Sequence, residues 1–340
     1  MPNVLSLIVS LVMVLGMGAA QAGWQDDPAV RALYEKAKQE GAVVIWGPSR
    51  PEVEWIEPEF RAAFPGIAVS FVGDNDVFTR AIAEARAGRH QVDVLWVSIN
   101  GGILFNTRSL AAKVDWKALN LRNAETAFGD EMLFAARSLW IVTFDPSRTQ
   151  AAEIPDTWEG YLDPKLKDRM VANPFLLPRL AGSLSLQWGP EKALDFVRRL
   201  VGSQEIMLTR APRETFVKSG ERMLALGEID GTYRRQAKLG NPFGIKVPTP
   251  VVMTQFGSMV MANAPHPNAA RLLAAWLATD EGRQARLAAT GQLHYDRPGD
   301  EFARKLAAGE IPLILEKPED AKRRDDTINQ AMPIVARRER

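Results

Sequence analysis

Five arginines occupy positions from which they can bind an anion. They fall in or beside loops that follow predicted strands, or within the central apolar strand: Arg50, Arg179, Arg210, Arg234 and Arg137. A guanidinium is planar and binds a carboxylate or phosphate through two parallel hydrogen bonds, so several arginines around one cleft favour an anionic ligand. Any single arginine is more often solvated, but a charge in an apolar strand needs a partner. For Arg137 that partner is either the ligand or a structural carboxylate.

Neutral polar side chains in the same loops add hydrogen-bonding groups to this set. Hydroxyl and amide groups donate to carboxylate or phosphate oxygens, and a tyrosine offers its phenol. Members before the central strand would anchor a ligand on the first half of the chain, and those after it would clamp the ligand from the second half. With the arginines, the candidate ligand-binding residues are Ser49, Arg50, Asn100, Arg137, Asn173, Arg179, Thr209, Arg210 and Tyr233.

The central strand lies in the stretch FAARSLWIVTFDP, residues 134–146. Its apolar, β-prone run ends at Pro146, because proline lacks the N–H that a strand ladder requires. Alternating strands and helices are predicted on both sides of it. We therefore expect residues 137–145 to form the first crossover between two α/β lobes. The proline-rich residues 245–251 would form the return crossover.

Strand and helix patterns alternate along most of the chain. Strand, helix, strand at these lengths requires parallel pairing with crossover helices, and ligands of such sheets bind at the carboxyl ends of the strands. Residues 98–102 and 173–178 are predicted as exit loops of this kind. The predicted strands are 42–46, 67–72, 92–97, 170–172, 205–208, 229–233 and 257–261, and the predicted helices include 77–87, 191–201, 212–226, 268–278 and 280–290.

The N-terminus carries the pattern of a secretory signal. An apolar run at residues 4–20 is followed by Ala20-Gln21-Ala22, which is typical of a signal-peptidase site. The alternative is an uncleaved membrane anchor, because the run is close to the length that spans a bilayer. The expected organisation is a signal peptide at 1–22, lobe 1 at 23–138 plus 251–316, lobe 2 at 139–250 and a charged C-terminal segment at 317–340.

Composition excludes several classes of function. The chain has no cysteine, which rules out thiolate zinc sites, iron–sulfur clusters, cysteine nucleophiles and disulfides. Its 42 basic and 41 acidic residues give a formal net charge of +1 without long charged blocks, so no nucleic-acid-binding surface is indicated. The G-x-S-x-G, H-E-x-x-H and G-x-x-x-x-G-K motifs are absent from the sequence. We expect neither enzyme activity nor a cofactor.

Four stretches of the sequence carry a resemblance to a known family. They are the central strand with Arg137, TWEGYLDPKLKDRMVANP (157–174), SGERMLALGEIDGTYR (219–234) and GSMVMANAPHPNAARLLAAWLATDEG (257–282). They resemble the periplasmic (extracellular) solute-binding proteins of bacterial ABC transporters, in the ferric-ion-binding-like branch. The resemblance follows the same order along the chain over about residues 40–290.

The resemblance implies a two-lobed α/β fold, the periplasmic-binding-protein type 2 fold, in which two crossover segments form a hinge. It also implies a periplasmic, monomeric substrate-binding component of an ABC importer. Such a protein captures a solute in the cleft between its lobes by hinge closure and delivers it to a permease in the inner membrane. The arginines then favour a small anion, either an organic carboxylate or a phosphorylated compound.

Two alternatives stay open at the level of the sequence. Members of the ferric branch supply adjacent tyrosines after a GE motif, with a histidine and a carboxylate from earlier loops. Here a single Tyr233 is followed by Arg234, whose charge opposes binding of a trivalent cation. If iron were bound, Asp74, Asp76 and Tyr233 would be its ligands. The second alternative is a periplasmic enzyme on the same fold.

Overall fold

The computed structural model describes residues 23–74, 76–121, 124–291 and 301–336. The prediction of a signal peptide at residues 1–22 falls outside these ranges. Within them, no helix combines the length and the apolar character needed to cross a bilayer.

The first helix, α1 (Pro28–Glu40), shows how local chemistry sets the elements. The carboxylate of Asp27 accepts a hydrogen bond from the backbone N–H of Ala29 at 2.8 Å, and Pro28 occupies the first helical position. The apolar side chains that recur at helical spacing are buried. Gly41 ends the helix in the left-handed conformation, with a φ of 72°.

Helices and strands alternate through the rest of the described chain. The further helices are α2 (Arg50–Val53), α3 (Ile56–Ala63), α4 (Val77–Arg86), α5 (Ile99–Asn106), α6 (Leu176–Trp188), α7 (Pro190–Gly202), α8 (Arg213–Ser219), α9 (Asp230–Lys238), α10 (Pro267–Ala278), α11 (Asp280–Thr290), α12 (Glu301–Ala307) and α13 (Ala321–Ala336). The strands are β1 (Ala42–Gly47), β2 (Ala68–Gly73), β3 (Val94–Ser98), β4 (Thr126–Ala127), β5 (Met132–Phe144), β6 (Met170–Ala172), β7 (Met207–Leu208), β8 (Leu224–Ile229), β9 (Gly244–Lys246), β10 (Val251–Val260) and β11 (Leu313–Leu315).

The strands form a continuous mixed sheet in the order β2-β1-β3-β10-β5-β8-β6-β7. In the first half, β1 pairs in parallel with β2 and β3. In the second half, β6 pairs in parallel with β7 and β8. The 13-residue β5 pairs antiparallel with β10 along its first part and with β8 along its second part. This strand contains most of the predicted crossover at 137–145, and it pairs with strands of both halves.

Each half of the fold has its own apolar core. In the first half, Phe60 and Trp276 meet edge to face at 5.5 Å between ring centroids, and α1, α3 and α10 pack there against the sheet. In the second half, α6 and α7 cover the sheet around Trp158 and Leu184, both fully buried. This two-lobed α/β architecture is the fold class predicted from the sequence.

The C-terminal segment packs onto the second half of the fold. Its helix α13 lies against α6 and α7. Ala331 and Val335 are buried in the same apolar core as Trp158. Although the sequence of this segment is dense in charge, its described residues are therefore part of the folded body.

Two predicted boundaries in the second half were wrong. The helix predicted at 212–226 stops at Ser219, because Gly220 takes a positive φ of 79° and caps α8. The strand that follows is β8, which begins at Leu224 and ends at Ile229, earlier than the predicted 229–233. Tyr233 therefore lies in helix α9 instead of at a strand exit.

The predicted exit loop at 98–102 was also wrong, because a helix begins there. The hydroxyl of Ser98 accepts a hydrogen bond from the backbone N–H of Gly101 at 3.3 Å and so caps α5. Asn100 consequently lies in the first turn of α5, which fixes the direction of its side chain.

Gly257 provides a test of how tightly the central strands pack. It lies in β10 between β3 and β5, and a Cβ atom there would stand 2.2 Å from the carbonyl oxygen of Leu133. We expect Gly257→Ala to lower the free energy of unfolding by about 1–3 kcal/mol, because backbone atoms must move apart. Urea unfolding measures this loss. As a control, Gly202→Ala in α7 meets nothing within 4 Å and should not destabilise; equal stability of both variants would contradict the described packing.

Candidate functional site

The strand exits of the two halves meet beside the middle of β5. Ser98 at the end of β3 is opposite Phe256 of β10, which is opposite Ala136 of β5. Ile229 at the end of β8 is opposite Trp140 of β5. Residues 136 and 140 are only about 13 Å apart along a strand that rises roughly 3.3 Å per residue. The carboxyl ends of both sets of parallel strands therefore open toward one cleft.

Three side chains of the second half form a connected group at this cleft. Phe175 stands just before α6 and is 43% exposed. The guanidinium carbon of Arg210 lies 4.5 Å from the centroid of its ring. Arg179 donates a hydrogen bond from Nη1 to the carbonyl oxygen of Phe175 at 2.8 Å. Two of the predicted arginines are thus brought to the same aromatic residue.

Arg179 forms no ion pair with a carboxylate in the part of the chain that the structure describes, and its side chain faces solvent. Desolvation by the surrounding protein, together with the nearby guanidinium of Arg324, lowers the pKa of Arg179. A guanidinium nevertheless stays charged at neutral pH. A positive charge next to a second positive charge is a place where a bound anion is stabilised.

Asn173 and Thr209 stand at the carboxyl ends of β6 and β7, beside this group. The side-chain oxygen of Asn173 accepts hydrogen bonds from the backbone N–H groups of Phe175 and Leu176 at 2.8 and 3.3 Å, so the predicted 173–178 loop ends sooner than expected. The hydroxyl of Thr209 accepts from the N–H of Ala211 at 3.1 Å. Both side chains keep donor hydrogens for a ligand, but the first N–H groups of α6 are already satisfied.

Glu316 links the two halves next to Arg179 and was not among the predicted site residues. It is buried, with 2% of its surface exposed. Its carboxylate accepts from Nδ2 of Asn100 on α5 and from the hydroxyl of Ser183 on α6, each at 2.5 Å. Nη1 of Arg324 stands 3.4 Å from the same carboxylate. The hydroxyl of Ser183 also lies 3.2 Å from the carbonyl oxygen of Arg179, so the network reaches the arginine.

A second polar link between the halves involves Glu52 of α2. Its carboxylate oxygens lie 3.5 Å from Nη1 of Arg235 on α9 and 3.5 Å from Nη2 of Arg286 on α11. None of these three residues was predicted for the site. Helix α9 belongs to the second half, so Glu52 and Arg235 form an ion pair that spans the cleft.

Ser49 and Arg50 lie on the first half, at the carboxyl end of β1. Arg50 donates from Nε to Glu54 at 2.7 Å, and its guanidinium carbon stands 5.2 Å from the ring centroid of Phe71. Ser49 precedes α2, but its side chain makes no capping hydrogen bond. The described contacts connect Arg50 to its own half and not to the group around Arg179.

Arg137 has a structural carboxylate as a partner. Its Nη2 lies 2.6 Å from both carboxylate oxygens of Glu125, and Gln255 donates to the same carboxylate at 3.0 Å. Of the two partners that the sequence left open, the structure supplies the carboxylate. Glu125, which also accepts from Gln255 of β10, is thus a structural partner for Arg137.

Tyr233 is enclosed beneath the central strands. It is 1% exposed and packs with apolar side chains of β5 and β10, while its ring meets Phe243 edge to face at 5.4 Å. Burial, and then the negative charge of Glu228, raises the pKa of Tyr233 well above its ordinary value. The phenol therefore stays protonated at neutral pH.

The two acidic residues of the ferric alternative lie at the end of β2. One carboxylate oxygen of Asp74 accepts from the backbone N–H of Asp76 at 2.8 Å, and the other lies 3.5 Å from Nη1 of Arg80. Across the described ranges, no three His, Asp or Glu residues are grouped so that they could hold a metal ion. Tyr233 is packed into an apolar cluster that neither acid joins.

The fold is that of the type 2 periplasmic substrate-binding proteins of ABC transporters, as the resemblance predicted. Among solved structures, iron-bound HitA from Pseudomonas aeruginosa has a TM-score of 0.68 at 17% identity, covering 86% of this chain and 99% of HitA. The substrate-binding protein of an ABC transporter from Agrobacterium tumefaciens gives 0.69 at 16% identity, covering 88% of this chain and 96% of its own. AfuA from Actinobacillus pleuropneumoniae, bound to exogenous fructose-6-phosphate, gives 0.66 at 17%, covering 87% and 99%.

Sequence comparisons add nothing to this similarity of fold. No protein-family model matches the chain, and no curated protein matches its sequence. The similar structures include both iron-bound and sugar-phosphate-bound proteins, and all three are at or below 17% identity. The fold is thus shared with transport-associated binding proteins whose ligands differ, and the ligand has to be inferred from the residues of this chain.

The buried charge of Glu316 generates a prediction. Glu316→Gln replaces one acceptor oxygen by an amide, which must face a donor that now has no acceptor. We expect the free energy of unfolding to fall by roughly 1–3 kcal/mol, the cost of an unsatisfied buried polar group. Thermal and urea unfolding measure the loss. Glu319→Gln, an exposed acid of the same segment, serves as the control; if Glu316→Gln were no less stable than this control, the network would not join the halves.

Proposed function

We propose that this protein is the periplasmic substrate-binding component of an ABC importer. It captures a small anionic solute between its two halves and delivers it unchanged to a permease of the inner membrane. The solute is an organic carboxylate or a phosphorylated compound. Support comes from the shared fold, from the convergence of strand exits at one cleft and from the charges around that cleft.

One observation carries the choice of an anion. Arg179 is an exposed residue beside the Ser183–Glu316 network, has no carboxylate partner within the described ranges, and lies near the like charge of Arg324. Several other arginines are paired with acids; Nε of Arg213, for example, lies 2.7 Å from the carboxylate of Glu228. An arginine left over among such pairs supplies a charge that a carboxylate or phosphate satisfies in two-point fashion.

The neighbouring side chains extend this recognition. Asn173 and Thr209 use their oxygens as acceptors within their own loops and so present N–H and O–H donors to an anion. Arg210 adds positive charge beside Phe175. From the first half, Asn100 uses one amide hydrogen on Glu316 and keeps the other. Each of these groups favours an acceptor-rich ligand.

Closure of the two halves follows from the contacts between them. A ligand that touches both halves stabilises the closed arrangement, and the continuous strands β5 and β10 absorb the rotation. The ion pair of Glu52 with Arg235 and the hydrogen bond of Asn100 to Glu316 are the contacts that would be made on closing and lost on opening.

An iron-binding function is the second candidate, and the iron-bound neighbour favours it. Oxygen ligands from tyrosinate and carboxylate are what ferric iron prefers. In this chain the residues of that alternative are Asp74, Asp76 and Tyr233. The raised pKa of Tyr233 disfavours the tyrosinate, and Arg80 stands beside Asp74. We therefore propose binding of an anion in preference to binding of iron.

The anion proposal is tested with protein purified gently from its own periplasm. Native mass spectrometry, before and after denaturation, identifies a bound solute, and calorimetry then measures its affinity. We expect Arg179→Ala to weaken binding by about 10- to 100-fold, since a hydrogen-bonded charge contributes roughly 1.5–3 kcal/mol. Arg198→Ala, an exposed arginine on α7 of the same half, should leave affinity unchanged.

Either of two results would count against this proposal. Unchanged affinity in Arg179→Ala would remove Arg179 from the site. A protein that carries no solute, and whose melting temperature no carboxylate or phosphate raises, would refute anion capture itself. Conversion of the solute to a product on incubation would instead establish an enzyme.

The ferric candidate makes a separate spectroscopic prediction. Tyr233 is 1% exposed and packed in an apolar cluster, and its raised pKa makes the tyrosinate form costly, so we expect it not to ligate iron. We expect ferric citrate to produce no visible tyrosinate-to-iron absorption band, and Tyr233→Phe to leave the spectrum unchanged. A visible band that disappears in Tyr233→Phe would restore the iron function.

A further inference from the structure

Phe175 is a large apolar residue that remains exposed at the site. It follows the carboxyl end of β6 and precedes α6, so it stands where the strand exits open into the cleft. Its exposed fraction is 43%, although most aromatic side chains of this chain are buried. An exposed apolar surface inside a ligand cleft is removed from water when a ligand with its own apolar surface binds.

Phe175 is also the point at which two guanidiniums meet. Arg210 lies over its ring, with 4.5 Å between guanidinium carbon and ring centroid. Arg179 donates to its backbone carbonyl, which fixes the direction of that guanidinium. One residue therefore contacts both cations: its ring contacts Arg210, and its backbone carbonyl contacts Arg179, the cation proposed to bind the anion.

We propose that the solute is a planar aromatic anion, whose ring stacks on Phe175 while its carboxylate or phosphate binds Arg179. This inference rests on the proposed function and narrows its substrate class. A ring with an anionic substituent satisfies both features at once, since the apolar face meets the phenylalanine and the charge meets the guanidinium. A non-aromatic anion of the same charge satisfies only the arginine.

Two probes of equal charge and similar size separate these cases. Benzoate is flat and aromatic, whereas cyclohexanecarboxylate is puckered and saturated. Calorimetry on the mature protein should show benzoate binding about three- to tenfold more tightly, the range expected for an aromatic pair beyond its area burial. In Phe175→Leu this preference should vanish, while Arg179→Ala should weaken both probes by the same factor.

Controls keep this test specific to the ring. Leu239→Ala removes another exposed apolar side chain, 73% exposed at the end of α9, and should keep the benzoate preference. Phe175→Leu should have the same melting temperature as the unaltered protein, because the ring is not part of either apolar core.

The outcomes distinguish this inference from the function on which it rests. Equal binding of the two probes, a preference that persists in Phe175→Leu, or binding of neither probe would overturn the aromatic class. In each of these cases a non-aromatic anion released from the native protein would leave the importer function intact. If the purified protein carried no anion, and no anion raised its melting temperature, both the aromatic class and the proposed anion capture would be refuted.

Discussion

The pairing of β5 is the constraint on which the rest of the structure depends. This strand hydrogen-bonds with β10 over residues 132–139 and with β8 over residues 140–144, so it belongs to both halves. Because the parallel strands of the two halves approach it from opposite directions, their carboxyl ends face each other. The cleft is thus a consequence of strand direction, before any side chain is considered.

Fixed carboxylates decide which arginines remain available around that cleft. Glu125 holds Arg137, Glu228 holds Arg213, and Glu316 lies beside Arg324. Glu228 and Glu316 are buried, so losing either partner of these two pairs is costly. Arg179 differs because its only described hydrogen bond is to a backbone carbonyl. The anion binding that we propose depends on this one arginine having no carboxylate partner among the described residues, and a count of basic residues in the sequence does not reveal that.

Local patterns in the sequence predicted the fold well, whereas contacts between distant segments could not be predicted from such patterns. The cap at Asp27 and the glycine at Gly41 define α1, and the apolar run from 134 onward defines β5. The error at 212–226 came from passing over Gly220, a stop signal that was present in the sequence. Glu316 could not be found in this way, because it follows a short apolar stretch like many surface acids and is separated from Asn100 by 216 residues. Only the folded chain shows that it is buried.

Under the proposed function, the same network would connect a bound anion to the closure of the halves. Arg179 and Arg324 repel each other, and Arg324 is held by Glu316, which also binds Asn100 of the first half. If an anion binds Arg179 as proposed, it relieves that repulsion, and Arg324 stays close to Glu316 without a like charge opposing it. Glu316 is then kept as an acceptor for Asn100. The charge of an anion on Arg179 would in this way favour the hydrogen bond between Asn100 and Glu316. An uncharged ligand would lack this effect, however well its shape fitted the cleft.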